Sequence, residues 1–206
     1  MTEPAVHPGW PASLHWGPVE LHPPRRGDAA EWSRVRLANQ DWLTPWEPSS
    51  ALPWTLRHSP AAFRAMRRAV LRRARGGFCA PFMIRVEGRL AGQITLDNIV
   101  RGAMRSGHLG YWIDRAVSGR GYASLAVALA CDHAFGPMGL HRLQADIRPQ
   151  NVRSQALVER LGFTREGLLR RYLDIDGDWR DHYTYALLAE DFPAGVVSRW
   201  RAGSPS

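Results

Sequence analysis

The sequence predicts an α/β (α+β) domain built on a mixed, mostly antiparallel central sheet flanked by helices. Three observations carry that prediction. A strand-like run, His108-Leu-Gly-Tyr-Trp-Ile-Asp114, leads through a glycine-rich turn into an apolar helix. A second strand, Leu140 to Arg148, alternates apolar with polar residues and leads into a capped helix. Two tight turns, Glu87-Gly88 and Asp176-Gly177-Asp178, join strand-like runs as antiparallel hairpins.

The elements follow in chain order. Val19-Glu-Leu-His begins the sheet, and Gly27-Asp28 caps a helix running to about Leu37 or Asn39. A linker carrying Trp42, Trp46 and Trp54 leads to a basic amphipathic helix. There Phe63, Met66, Val70 and Leu71 recur at helical spacing, while Arg64 to Arg75 hold six arginines. Strands follow from Phe78 to Val86, Arg89 to Asn98 and Ser106 to Ile113. Next come the helix after Ser124 and the strand Leu140 to Arg148, which Pro149 ends. Asn151 sits where an N-cap belongs, the helix runs to Leu161, and Gly162 stops it. Phe163 opens the closing hairpin, whose last strand is Trp179 to Leu188.

The turn Ser118-Gly119-Arg120-Gly121-Tyr122-Ala123, with Ser124 after it, is the strongest chemical signal. Backbone N–H groups converge at such a turn and the positive end of a helix lies behind them, so a pyrophosphate is a natural occupant. The plainer reading is a tight strand–helix connection with no ligand. A Walker-type loop is absent, and there is neither a third glycine at Rossmann spacing nor an acidic strand end about 20 residues on. Asn151 and Ser154 lie three apart on one face of a first helical turn, and plain capping explains them equally well.

Composition agrees with a single core. The chain has 206 residues, 45% of them hydrophobic, and shows no repeat or low-complexity block. Residues 1–17 read as a polar N-terminal arm without the apolar core of a signal peptide, residues 18–193 as the domain, and residues 194–206 as a C-terminal tail. No run approaches the roughly 20 apolar residues of a membrane span. Cys79 and Cys131 are lone cysteines in apolar surroundings, with no metal-ligand spacing, which fits a reducing cytoplasm. The formal net charge is +8 and the basic side chains are arginines. That charge is either a soluble arginine-rich surface or an attraction to acidic partners, a phosphate-bearing ligand locally and nucleic acid globally. RNP-type strings and interleaved aromatics are missing. The sequence leaves monomer and homodimer both open.

Several separated motifs, in order, resemble the GNAT acyl-CoA N-acetyltransferases. Ser118-Gly-Arg-Gly-Tyr-Ala123 is similar to that family's pyrophosphate loop, and Asn151-x-x-Ser154-x-x-Leu157-x-x-x-Leu161-Gly162-Phe163-x-x-Glu166-Gly167 to its second signature. Leu43-Thr-Pro-Trp-Glu-Pro48, Asn98-Ile-Val-Arg-Gly102 and Leu173-Asp-Ile-Asp-Gly-Asp-Trp-Arg-Asp-His182 narrow the resemblance to the RimJ/RimL branch, which acetylates N-terminal residues of ribosomal proteins. The resemblance spans about Val19 to Phe192. Ser118 departs from the Gln or Arg usual at its position, and Arg115 and Arg120 are candidates for the missing charge.

The resemblance implies a GNAT fold in which strands Ser106–Ile113 and Leu140–Arg148 splay apart around the pantetheine arm. It further implies an acetyl-CoA-dependent transfer to a primary amine without a covalent enzyme intermediate. The expected acceptor is the N-terminal α-amine of a ribosomal or other protein, of Ala or Ser type. A small amine such as an antibiotic or amino acid, or a non-catalytic CoA- or RNA-binding role in ribosome assembly, are the alternatives. The expected coenzyme-binding residues are Tyr111, Trp112, Ile113, Ser118, Gly119, Arg120, Gly121, Tyr122, Ala123, Ser124, Asn151 and Ser154, and no metal is implied.

The chemistry requires amine deprotonation, a polarised carbonyl and a stabilised thiolate. Many GNAT enzymes place a Tyr acid where this chain has Val158, which leaves Ser154 as the candidate acid. Asp146, five residues before Asn151, is a candidate base if an apolar gap raises its pKa, or else a surface ion pair with Arg142 or Arg148. Glu47 is the rival base, and with Trp46 a binding pair for the incoming ammonium. His182 and Tyr183 are further candidates for proton relay, although Asp181-His182 also reads as a hairpin buttress.

Overall fold

The computed structural model describes residues 8–202. One sheet holds β1 (Leu14–Trp16), β2 (Val19–His22), β3 (Ala80–Val86), β4 (Arg89–Val100), β5 (Ser106–Ile113), β6 (Arg142–Ile147), β7 (Thr164–Ile175) and β8 (Asp178–Leu188). The helices are α1 (Ala29–Ala38), α2 (Gln40–Leu43), α3 (Trp54–Arg57), α4 (Pro60–Arg75), α5 (Tyr122–Phe135), α6 (Val152–Arg160) and α7 (Val196–Ala202). Strand order is β1-β2-β3-β4-β5-β6-β8-β7, and every neighbouring pair is antiparallel except the parallel pair β5–β6.

Helices cover both faces of the β3–β4 region. On one face lies α5, apolar all round and therefore a buried helix, whose Ala126, Ala128 and Ala130 let it approach Ile94, Leu96, Leu109 and Leu143 closely. On the other, α1 and α4 bury Trp32 and Phe63 against Met83 and Leu90. Both faces of β3 are therefore apolar, and Ala80 to Ile84 are all buried. Ser59 caps α4 by accepting from the Ala62 amide at 3.1 Å, a contact typically worth ~1 kcal/mol.

Three local expectations differ. Asp28 starts α1 but does not cap it with its side chain; its carboxylate accepts from the Arg25 amide and pairs with Arg85 at 2.9 Å. The sheet begins at Leu14, inside the segment read as an arm, and Trp10 is buried with its ring edge-on to Phe82. A polar composition concealed this, because one indole and one hydrogen bond from His133 to the Gly9 carbonyl suffice to tie the segment down. Beyond residue 193, α7 packs on α5: Asp132 accepts from the Val196 and Val197 amides, and both valines are buried. Residues 1–7 and 203–206 of the expected arm and tail lie outside the described residues.

Candidate active site

The parallel pair β5–β6 makes the site. Its pairing covers only Ser106↔Arg142, Gly107↔Leu143 and His108↔Gln144, after which the strands part. Their other edges stay paired: β5 with β4 through Ile113, and β6 with β8 through Ile147. Residues 109–113 thus face residues 145–147 across a gap, as the resemblance implied. The cavity entered through this gap has a volume of about 1020 Å³, at the upper end of small-molecule sites.

At one end of the cavity lies the glycine turn. Ser118, Gly119, Gly121, Ala123 and Ser124 line it, whereas Arg120 and Tyr122 do not; Tyr122 packs against the core instead. Gly119 and Gly121 have φ of +80° and +81°, the left-handed region where a side chain strains the backbone. A Cβ at Gly119 would meet nothing within 4 Å, so that surface is open to a ligand, while Gly121 rests on Trp200 of α7. Arg115, Arg153 and Arg160 line the same cavity. Arg115 and Arg153 lie over the Trp42 ring at 5.8 and 4.8 Å, so of the two charges expected to offset Ser118, Arg115 is present and Arg120 is not.

Midway along the gap, Tyr111, Trp112 and Ile113 line one wall and Asn151, Ser154 and Leu157 the other. Gly110 presents open space where a Cβ would stand, so a chain can lie flat along the strand there. The Ile113 carbonyl already accepts from the Trp42 indole at 3.1 Å, which leaves Gly110 to Trp112 as the free edge. Asn151 caps α6 by accepting from the Ser154 amide at 3.2 Å. The Ser154 hydroxyl is thereby aimed across the gap at the Tyr111 hydroxyl, 2.7 Å away. Burial raises the Tyr111 pKa far above a phenol's ordinary value, although the Ser154 contact pulls the other way. Tyr111 therefore stays a neutral hydroxyl throughout the physiological range. Val158, the position at which the resemblance led to the expectation of a missing acid, is fully buried core. The serine–tyrosine pair was not legible as a pair, because the two residues lie 43 apart and meet only across the splay.

The far end is acidic and aromatic. Trp46, Glu47, Asp97 and Asp146 line it, with Trp112 reaching in from the β5 wall. Glu47 has both carboxylate oxygens committed, Oε1 to Arg36 at 2.6 Å and Oε2 to Arg57 at 3.3 Å. Arg36 is itself buried within 6 Å of the Trp32, Trp54 and Trp112 rings, so Glu47 is locked in an ion-pair network. Burial beside Trp54 and Arg36 lowers His58 to about 4, and its ring accepts from Arg36 at 2.6 Å. Trp46 is covered on one side by Arg148 at 5.5 Å.

Asp146 does not match its expected electrostatics. Desolvation pushes its pKa up, but the contacts with His108, Thr184 and Gln144 outweigh that and hold the carboxyl below the ordinary value. The expected raised pKa is thus reversed, because the gap floor is polar rather than apolar. Its ion pair is not with Arg142 or Arg148 but with His108, whose Nδ1 lies 3.3 Å away. His108 was overlooked in the sequence; the signal was its place in the parallel register, directly opposite Gln144. Of the relay candidates, His182 is buried below the floor, its Nδ1 donating to the Arg180 carbonyl, and desolvation lowers its pKa. Tyr183 packs beneath Arg165, and neither residue lines the cavity.

A parallel splay with a glycine-rich helix start at one end and an aromatic, acidic chamber at the other defines a class, and comparison with known proteins agrees. The acetyltransferase (GNAT) domain family matches residues 19–164, and the chain belongs to that family. Mycobacterium smegmatis RimJ, solved in complex with CoA-disulfide, superposes with a TM-score of 0.93 and 42% identity, covering 96% of this chain and 97% of that one. Over 105 residues the chain is 39% identical to a probable N-acetyltransferase, YjcK, of Bacillus subtilis, covering 51% of this chain and 58% of the relative. Over 109 residues it is 38% identical to the ribosomal protein uS5-alanine N-acetyltransferase of Escherichia coli, covering 53% and 56%. The chain thus spans little more than half the length of these curated relatives. Among the described residues no helix is long and apolar enough to cross a membrane.

Proposed function

We propose that this chain transfers the acetyl group of acetyl-CoA to the N-terminal α-amine of a protein, with an Ala- or Ser-starting ribosomal protein as the favoured acceptor. The observation that carries the reading is the β5–β6 gap, paired as far as His108 and open beyond it, whose cavity is lined both by the glycine turn and by Trp46, Glu47 and Asp146. The likeness to mycobacterial RimJ and to the uS5-alanine enzyme supports the choice of acceptor.

Acetyl-CoA, when bound, supplies an acyl group already activated as a thioester. The residues present suit it: the glycine turn lies at the N-terminal end of α5 with Gly119 open to a ligand, the open face of Gly110 admits a chain along β5, and three arginines line the cavity. Ser154 gives its hydroxyl proton to the departing sulfur and Tyr111 orients that hydroxyl. Trp46 and Trp112 present ring faces to the acceptor ammonium, Glu47 fixes the segment that carries Trp46, and Asp146 supplies the negative charge of the deprotonation step. The basic outer face of α4 is the surface for contact with ribosomal RNA, and the cytoplasm is the matching location.

Release of free thiol from acetyl-CoA in the presence of a short Ala-starting peptide tests the reading. Peptide-dependent turnover supports it. Turnover only with aminoglycosides or free amino acids replaces it with small-amine acetylation, and CoA binding without turnover replaces it with a non-catalytic role.

A further inference from the structure

We infer that His108, not Asp146, takes the proton from the acceptor amine, and that Asp146 is the positioning residue that orients the His108 ring. The inference rests on the acetyl-transfer reading and deepens it. Asp146 is mostly enclosed, its side chain 8% exposed, whereas His108 is 35% exposed at the cavity wall. The last paired register of β5 and β6 sets His108 beside Gln144, and Asp146 follows two residues on, on the same face. One Asp146 oxygen faces His108 Nδ1 at 3.3 Å, and both accept from the Gln144 amide at 3.1 and 3.3 Å. A carboxylate so occupied is an acceptor that keeps Nδ1 protonated, which makes Nε2 the basic nitrogen of the neutral ring.

The groups that face His108 and its Asp146 partner come from β4, β6, β7 and β8. Opposite it on β4 stands Asp97, itself tied to Arg73 of α4 at 2.6 Å. From β6 come Asp146 and, one residue before Leu143, Arg142, which is paired with Glu166 at 2.5 Å. Tyr172 of β7 and His182 of β8 lie against Asp146 from below, and each is held in its neutral form chiefly by burial. The proton ledger is simple. The ammonium loses two protons as its nitrogen forms the new C–N bond. One goes to His108 Nε2 and then to solvent. The C–S bond breaks with its electron pair on sulfur, and one proton ends there through Ser154.

The test is kcat/KM for an Ala-starting peptide from pH 5.5 to 9.5, with His108→Gln and Asp146→Asn compared against the unaltered protein. CoA affinity measured by calorimetry reports whether each variant is folded. His108→Gln should lose on the order of 10–100-fold at pH 7, shrinking to a few-fold at pH 9.5, where an α-amine of pKa about 7.7–8.0 is already free. Asp146→Asn should lower the plateau rate by less than His108→Gln lowers the rate at pH 7, and should move the acid limb to lower pH, because an imidazolium loses its anion. NMR titration of the His108 ring in the unaltered protein should give the same midpoint as the acid limb, even if His108→Gln fails to fold. A His108→Gln profile matching the unaltered protein, an Asp146→Asn variant with no acid limb, or a ring midpoint unrelated to that limb overturns the inference while leaving acetyl transfer intact. Absence of peptide-dependent thiol release by the unaltered protein overturns the underlying reading instead, and this inference falls with it.

Discussion

The two ends of the gap are built by different means. The coenzyme end is main chain: two glycines at positive φ, the start of α5 and the free edge of β5, all within residues 110–124. The acceptor end is side chain, and its parts arrive from separate elements: Trp46 and Glu47 from a loop, Asp97 from β4, His108 and Trp112 from β5, Asp146 from β6. Backbone sites are defined by local conformation and survive most exchanges that keep it. Side-chain sites depend on long-range packing, so single exchanges should tune them separately from coenzyme binding.

The largest effect is expected at the coenzyme end. Gly121→Glu forces a side chain into the left-handed region and sets a carboxylate beside the diphosphate site, so CoA affinity by calorimetry should fall at least about a hundredfold. Unchanged affinity would break the comparison outright. Next is the seam between the ends: Ser154→Ala should lower kcat roughly 10–100-fold with little change in KM for acetyl-CoA, and Tyr111→Phe should lower it less. A larger loss at Tyr111 than at Ser154 would mean that the tyrosine, not the serine, delivers the proton.

The acceptor end should also answer to acid. His58 titrates near 4 in the fold against 6.5 in the unfolded chain, so the unfolded state binds more protons between those values. Stability is therefore full above pH 6.5 and declines as pH falls toward 4, by about 1–2 kcal/mol once solvent access is allowed for. Thermal melting from pH 7 to 4 should show that decline, and His58→Gln should flatten it. The smallest effect is at Trp46: Trp46→Ala should raise KM for the peptide about two- to fivefold, in keeping with one lost cation–π face, and leave CoA affinity alone.

The same division explains what could be read beforehand. The Asn151 cap and the turn at Gly119–Gly121 were legible because each is a local pattern of a few residues, whereas the splay partners came from the family resemblance, since their pairing joins residues far apart in the chain. Glu47 was legible as a loop residue but not as the centre of a bridge between Arg36 and Arg57, which come from α1 and α3. The pKa direction of Asp146 was misread because its donors, His108 and Gln144, belong to a register that spacing does not reveal. Trp10 and α7 were overlooked because their burial depends on partners distant in sequence, among them Phe82 for Trp10 and Asp132 for α7.

By itself, the sequence determined the alternation of strands and helices, the glycine turn and the family, since periodicity, capping and positive-φ glycines act over a few neighbouring residues. Only the tertiary structure decided which side chains share the acceptor chamber. Their proximity comes from strand register and helix packing between residues far apart in the chain, and one step of register would have turned His108 and Asp146 to opposite faces of the sheet.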